Sequence, residues 1–185
     1  MMAATANFES NNLTSDLDHV TRHRMAIFAA SAADVVQFTG GLIFDHVGAG
    51  WDVRVHITQD APEDGRAMRI LGIRHLLRSV DMDSTEWPDL LLTGAESYRS
   101  QPDIHRIFNA AARRQQTEVA MWGGDWPGEL DPGIGTVEHR LSTAARAFKA
   151  HAVTAAGLDG FADTAEQFVS GKRRFRSAAP LLQPA

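Results

Sequence analysis

The stretch DLLLTGAESYRSQPDIHRIFNAAARRQQTEVAMW, residues 89 to 122, decides the fold. Its two ends, DLLLT (89–93) and EVAMW (118–122), are unbroken apolar runs, the composition of strands buried on both faces in a parallel sheet. Between them the period becomes helical: Ile104, Ile107, Phe108 and Ala111 share one face. Ser100 is the expected cap, Pro102 falls in the first turn and Asp103 meets the positive end of the helix dipole, while Arg113 and Arg114 stand at the negative end. Strand, helix and strand in this order form a crossover unit between parallel strands.

Toward the N-terminus, MAIFAA (25–30) fits a short strand or the front of the next helix. Ser31 with Asp34 three residues later is a shortened capping box and starts a helix from Ala32 to about Val47. Gly40 and Gly41 inside it permit close packing or mark a break, and Gly48 and Gly50 end it. DVRVHIT (52–58) alternates strictly, AMRILGI (67–73) reads as a second strand, and the turn residues between them predict an antiparallel hairpin at a sheet edge. Toward the C-terminus, helical spacing predicts a helix from Val137 to about Ala156, capped by Thr136, and a short one from Phe161 to Val169.

These elements define an α/β class: one three-layer domain with a mixed, mainly parallel sheet of four or five strands, flavodoxin-like or Rossmann-like in architecture only. Residues 1–20 read as a flexible tail, 21–170 as the domain and 171–185 as a basic, mobile tail.

Composition narrows the function classes. A net charge of -5 disfavours nucleic-acid binding, which draws its affinity from Lys and Arg on phosphates. The absence of cysteine removes disulfides, Cys-ligated zinc, iron–sulfur clusters and thiol nucleophiles. The first residues carry no signal-peptide or transit-peptide pattern, and the apolar run around Met25 to Val36 is far short of the ~20 residues that span a bilayer. A cytoplasmic protein with no membrane association is the expectation.

In parallel α/β sheets ligands bind beyond the carboxyl ends of the strands. The expected ligand-binding residues there are Arg74, His75, Thr93, Tyr98, Trp126, His139 and Arg140, with Glu96 or His139 as acid or base. The loop GGDWPGELDPGIG (123–135) is long for a strand–helix connection, where ~2 to 6 residues are usual. Gly133 and Gly135 match part of a dinucleotide fingerprint, but Glu138 takes the third glycine position and the strand ends well upstream. No Walker lysine, GxSxG elbow, HxH or HExxH is present, so neither a cofactor nor a metal site is expected. The tail GKRRFRS presents Lys172, Arg173, Arg174 and Arg176 around Phe175, a docking segment for an unknown protein partner.

With no catalytic motif in evidence, the leading reading is a regulatory or protein-interaction module. Its rival is a small enzyme or sensor that binds a phosphorylated or carboxylate metabolite at the C-terminal edge of the parallel strands.

Overall fold

The computed structural model describes residues 22–59, 64–74, 76–77, 87–114, 116–130, 135–160, 163–171 and 183–184. It is the α/β architecture expected: a mixed sheet with helices on both faces. The strands are β1 (Arg24–Ala29), β2 (Asp52–Ile57), β3 (Leu76–Leu77), β4 (Leu90–Gly94), β5 (Glu118–Trp122), β6 (Gly135–Arg140), β7 (Ala165–Ser170) and β8 (Gln183–Pro184). Their spatial order is β3-β2-β1-β4-β5-β7-β6-β8. The pairs from β3 through β5 are parallel, and those joining β5, β7, β6 and β8 are antiparallel.

The continuous apolar runs are explained by burial on both faces. In β1, Met25, Ile27 and Ala29 enter one core while Ala26 and Phe28 enter the other. Leu90 and Leu92 likewise oppose Leu91, and Ala120 and Trp122 oppose Val119 and Met121. The first core packs under α1 (Ala32–Gly48), α2 (Asp64–Ile70) and α5 (Thr143–Ala155), the second under α3 (Ala95–Ser100) and α4 (Pro102–Ala112). Ser31 caps α1 as expected, its Oγ accepting from the Asp34 N–H at 3.2 Å.

Four elements differ from the sequence reading. The hairpin over 52–73 does not form, because its second half is α2, with Ala67, Met68 and Leu71 buried at helical spacing. Gly72 closes that helix at φ +88, and a Cβ there would stand 2.8 Å from Val47 Cγ1. The start of the predicted 137–156 helix is instead β6, and α5 begins after Ser142, whose Oγ accepts from the Ala145 N–H at 3.0 Å. The predicted 161–169 helix is replaced by β7, where Glu166, Phe168 and Ser170 are buried at every second position. The loop after β4 is α3, so α4 is preceded by Gln101 rather than by a Ser100 cap.

Candidate functional site

β1 sends the chain toward β2 on one side and β4 continues toward β5 on the other, so the strand order reverses between β1 and β4. The helices that follow them, α1 and α3, pack on opposite faces of the sheet. Beyond the carboxyl ends of two such strands a crevice opens, and α/β sheets bind ligands there.

At this reversal point stand Ser31 and Asp34, at the start of α1, with Thr93 and Gly94 at the end of β4 and Trp122 at the end of β5. Asp34 sits in the first turn of α1, and the Trp122 indole Nε1–H donates to its Oδ1 at 3.3 Å. Burial pushes the Asp34 carboxyl above the usual aspartate range, with partial relief from the Trp122 and Ala30 hydrogen bonds. A Cβ added to Gly94 would stand 3.1 Å from Asp34 Oδ2 and 3.2 Å from the Trp122 ring. Gly94 has ordinary extended torsions, φ -71 and ψ 141, so its lack of a side chain serves space rather than backbone freedom. Thr93 is fully buried and its Oγ1–H points to the Phe28 carbonyl at 3.1 Å, tying β4 to β1.

The residues expected around one ligand are divided between the faces of the sheet. Tyr98 belongs to the second core beside Phe108, and its OH donates to Glu129 Oε1 at 2.5 Å. Burial, and then the Glu129 carboxylate, push the phenol up to about 12, so it stays a donor at neutral pH. His139 lies on the first-core face, with Nε2 2.9 Å from Asp45 Oδ2 of α1. Tyr98 and His139 therefore do not share a pocket. Arg140 is on a strand, not a helix start, and pairs with Glu138 at 2.7 Å. Glu96 pairs with Arg99 at 3.3 Å in solvent. Arg74 is exposed after α2, while His75, Lys172, Arg173, Arg174 and Arg176 lie outside the described residues.

Trp126 is a loop anchor rather than an exposed contact. Its ring stands 5.8 Å from Phe108 and fills the space a Cβ at Gly171 would need, at 2.8 Å. Glu129, further along, fastens the same loop to Tyr98 and to His105 Nε2 at 3.1 Å. Asp34 enters the sequence reading only as part of a capping box; the strand order is what places it at the reversal point.

No family model and no curated protein matches the sequence. Solved structures do share the fold. A triple mutant of the deacetylase of the teicoplanin biosynthetic pathway is 13% identical, with 83% of this chain and 100% of that chain covered at a TM-score of 0.54. The deacetylase of an antimicrobial pseudoaglycone is 15% identical over 84% of this chain and 100% of its own, also at 0.54. A conserved protein from Thermus thermophilus is 15% identical over 83% and 96%, at 0.51.

These neighbours correct the leading reading from sequence. The regulatory or interaction module rested on the absence of a familiar motif, yet the solved structures that share this architecture include deacetylases. The rival, a small enzyme or sensor binding a phosphorylated or carboxylate metabolite at the C-terminal edge, agrees better with these neighbours than the interaction module does. Among the described residues, no group of three or more His, Cys, Asp or Glu side chains is placed to hold a metal ion, and no helix is long and apolar enough to cross a membrane.

Proposed function

We propose that this chain is a small enzyme that hydrolyses an acyl-amide bond, as in removal of an acetyl group, in the crevice between β1 and β4. The observation that carries the reading is Asp34, a half-buried carboxyl with a raised pKa at the strand-order reversal. Likeness in fold to deacetylases supplies the reaction class.

In such a hydrolysis a water oxygen bonds to the acyl carbon, the carbon–nitrogen bond breaks, and the departing nitrogen takes up a proton. Asp34 is the proton donor: its raised pKa keeps the carboxyl protonated to higher pH than an ordinary aspartate. Trp122 fixes Oδ1, and Oδ2 lies over Gly94, 3.1 Å from where a Cβ would stand. One proton of the attacking water stays on the new carboxylic acid and the other returns to Asp34, directly or through solvent, so the products are an acid and an amine and the Asp34 carboxyl is restored.

The test is amine release from a panel of N-acetylated sugars, amino acids and aromatic amines. Asp34→Asn should lower the rate by about 100-fold or more, within the ~10² to 10⁴ of general acid catalysis. Gly94→Ala, with its backbone torsions accommodating Ala, should lower it by crowding Oδ2. Full activity in folded Asp34→Asn would overturn the assignment.

A further inference from the structure

Next along the chain from Gly94, Ala95 borders a second concavity, on the α3 and α4 side of the sheet. It is a cleft of about 380 Å³ roofed by the loop after β5. Ala95, Met121 and Pro127 give it an apolar surface, and Tyr98, Asp125 and Glu129 give it a polar one. We propose that this cleft binds a compact organic ammonium ion, the amine product once it has left Asp34 and taken up its proton; the inference deepens the proposed function and rests on it.

Charge decides the ligand class. Glu129 accepts from the Tyr98 OH and faces His105 Nε2, both through Oε1. The Tyr98 hydrogen bond, followed by the loop's own backbone and His105, holds the Glu129 carboxyl below the usual range, so it is ionised at neutral pH. Asp125 makes no hydrogen bond or ion pair among the described residues. Arg99, the one Arg or Lys bordering the cleft among the described residues, is matched by Glu96 at 3.3 Å. An anion entering here meets two carboxylates, one guanidinium already matched by Glu96 and the His105 ring already set against Glu129. An ammonium meets both carboxylates with its carbon skeleton against Met121 and Pro127, and a neutral molecule gains the apolar contact alone.

The test titrates the full chain at pH 7.5 and low salt with benzylamine, N-benzylacetamide and benzoate, following backbone amide resonances of residues 123–130. Benzylamine should bind saturably and more tightly than the neutral amide, and benzoate should not bind. Asp125→Asn and Glu129→Gln should each weaken benzylamine about fivefold, the effect of one solvated charge at contact range. Glu129→Gln retains an acceptor for Tyr98, and Asp125 has no partner to lose among the described residues, so neither change should unfold the loop. Benzoate binding as tightly as benzylamine, or benzylamine binding unaltered in both variants, overturns the proposal. Benzylamine binding as described with no amide cleaved would retain the cleft and remove the reaction; cleavage abolished in Asp34→Asn without selective benzylamine binding would do the reverse.

Discussion

The ammonium of Lys149 and the carboxylate of Glu166 meet at 2.6 Å inside the protein, with side-chain exposures of 4% and 2%. They are inserted at the middle of α1. Lys149 Nζ also donates to the Gln37 carbonyl at 2.7 Å, and the N–H groups of Gly41 and Leu42 donate to the two Glu166 oxygens at 2.8 Å each. Gln37 and Gly41 have the regular helical donor–acceptor spacing, so the pair bridges one rung of the α1 ladder. Burial pushes the Glu166 carboxyl up, and Lys149 and the two amides pull it back. The arrangement joins α1, α5 and β7 at one point.

Removing one member leaves a buried charge without its partner. Glu166→Leu or Lys149→Met should each cost about 3 to 5 kcal/mol, read as a lower midpoint in urea unfolding. The double substitution should cost less than the two singles combined, because neither charge is then stranded. Additive losses would show that the two side chains do not act as a unit.

Gly40 and Gly41 should respond differently to alanine. At Gly40 the new Cβ meets Leu71 and Lys149 side chains at 3.4 Å, and the helix propensity gain of ~1 kcal/mol offsets the contact. At Gly41 it would run into Leu141 Cγ and Cδ2, an overlap costing about 1 to 3 kcal/mol. Thermal unfolding should place Gly41→Ala well below Gly40→Ala, and adding Leu141→Ala should restore part of the loss. Equal melting temperatures for the two glycine variants would refute the packing account.

The same residues show what the sequence could disclose. The parallel strands were legible because burial on both faces leaves an unbroken apolar run, and the α1 cap was legible because it is local. Of the two alternatives offered for the Gly40–Gly41 pair, close packing holds, with Leu141 against Gly41, while the helix runs on from Ala32 to Gly48 with Glu166 and Lys149 set against its middle. The partners that bridge it come from β7 and α5, more than a hundred positions away, and no local pattern announces them. β6 and β7 were misread for a related reason. Val137 and Leu141 have helical spacing, and only pairing of β6 with β7 makes residues 135–140 extended. Site residues chosen by their distance from strand ends could not be assigned to a face while those strands were read as helix, which is why His139 and Tyr98 were grouped together.

Asp45 supplies an acid-sensitive joint between α1 and α5. Burial alone would raise its pKa, but hydrogen bonds from the Ser142 hydroxyl and amide, at 2.6 and 3.1 Å, and from His139 bring it below the usual value. The folded state then binds this proton less readily than the unfolded chain. Its contribution is present above the ordinary aspartate pKa of about 3.9 and is lost as pH falls through the lower folded value. Asp45→Asn should flatten the acid limb of the stability curve, measured as urea midpoint against pH. Ser142→Ala should cost about 1 kcal/mol at neutral pH from the lost cap. An acid limb unchanged in Asp45→Asn would remove the joint.

Asp34 has the opposite sign, and this separates the proposed proton donor from the structural Asp45. Its folded pKa lies above the unfolded value of about 3.9, so between the two the folded state retains a proton that the unfolded chain has released. Stability from this group is greatest at acid pH and declines as pH rises through that window. Trp122→Phe removes the indole N–H that favours the charged form, so the Asp34 pKa should rise further in that variant. Carbon-13 NMR of the Asp34 carboxyl during a pH titration measures both. The wild-type midpoint should exceed about 3.9 and the Trp122→Phe midpoint should be higher still. A wild-type midpoint below about 3.9 would leave Asp34 ionised throughout the useful pH range and remove it as the proton donor.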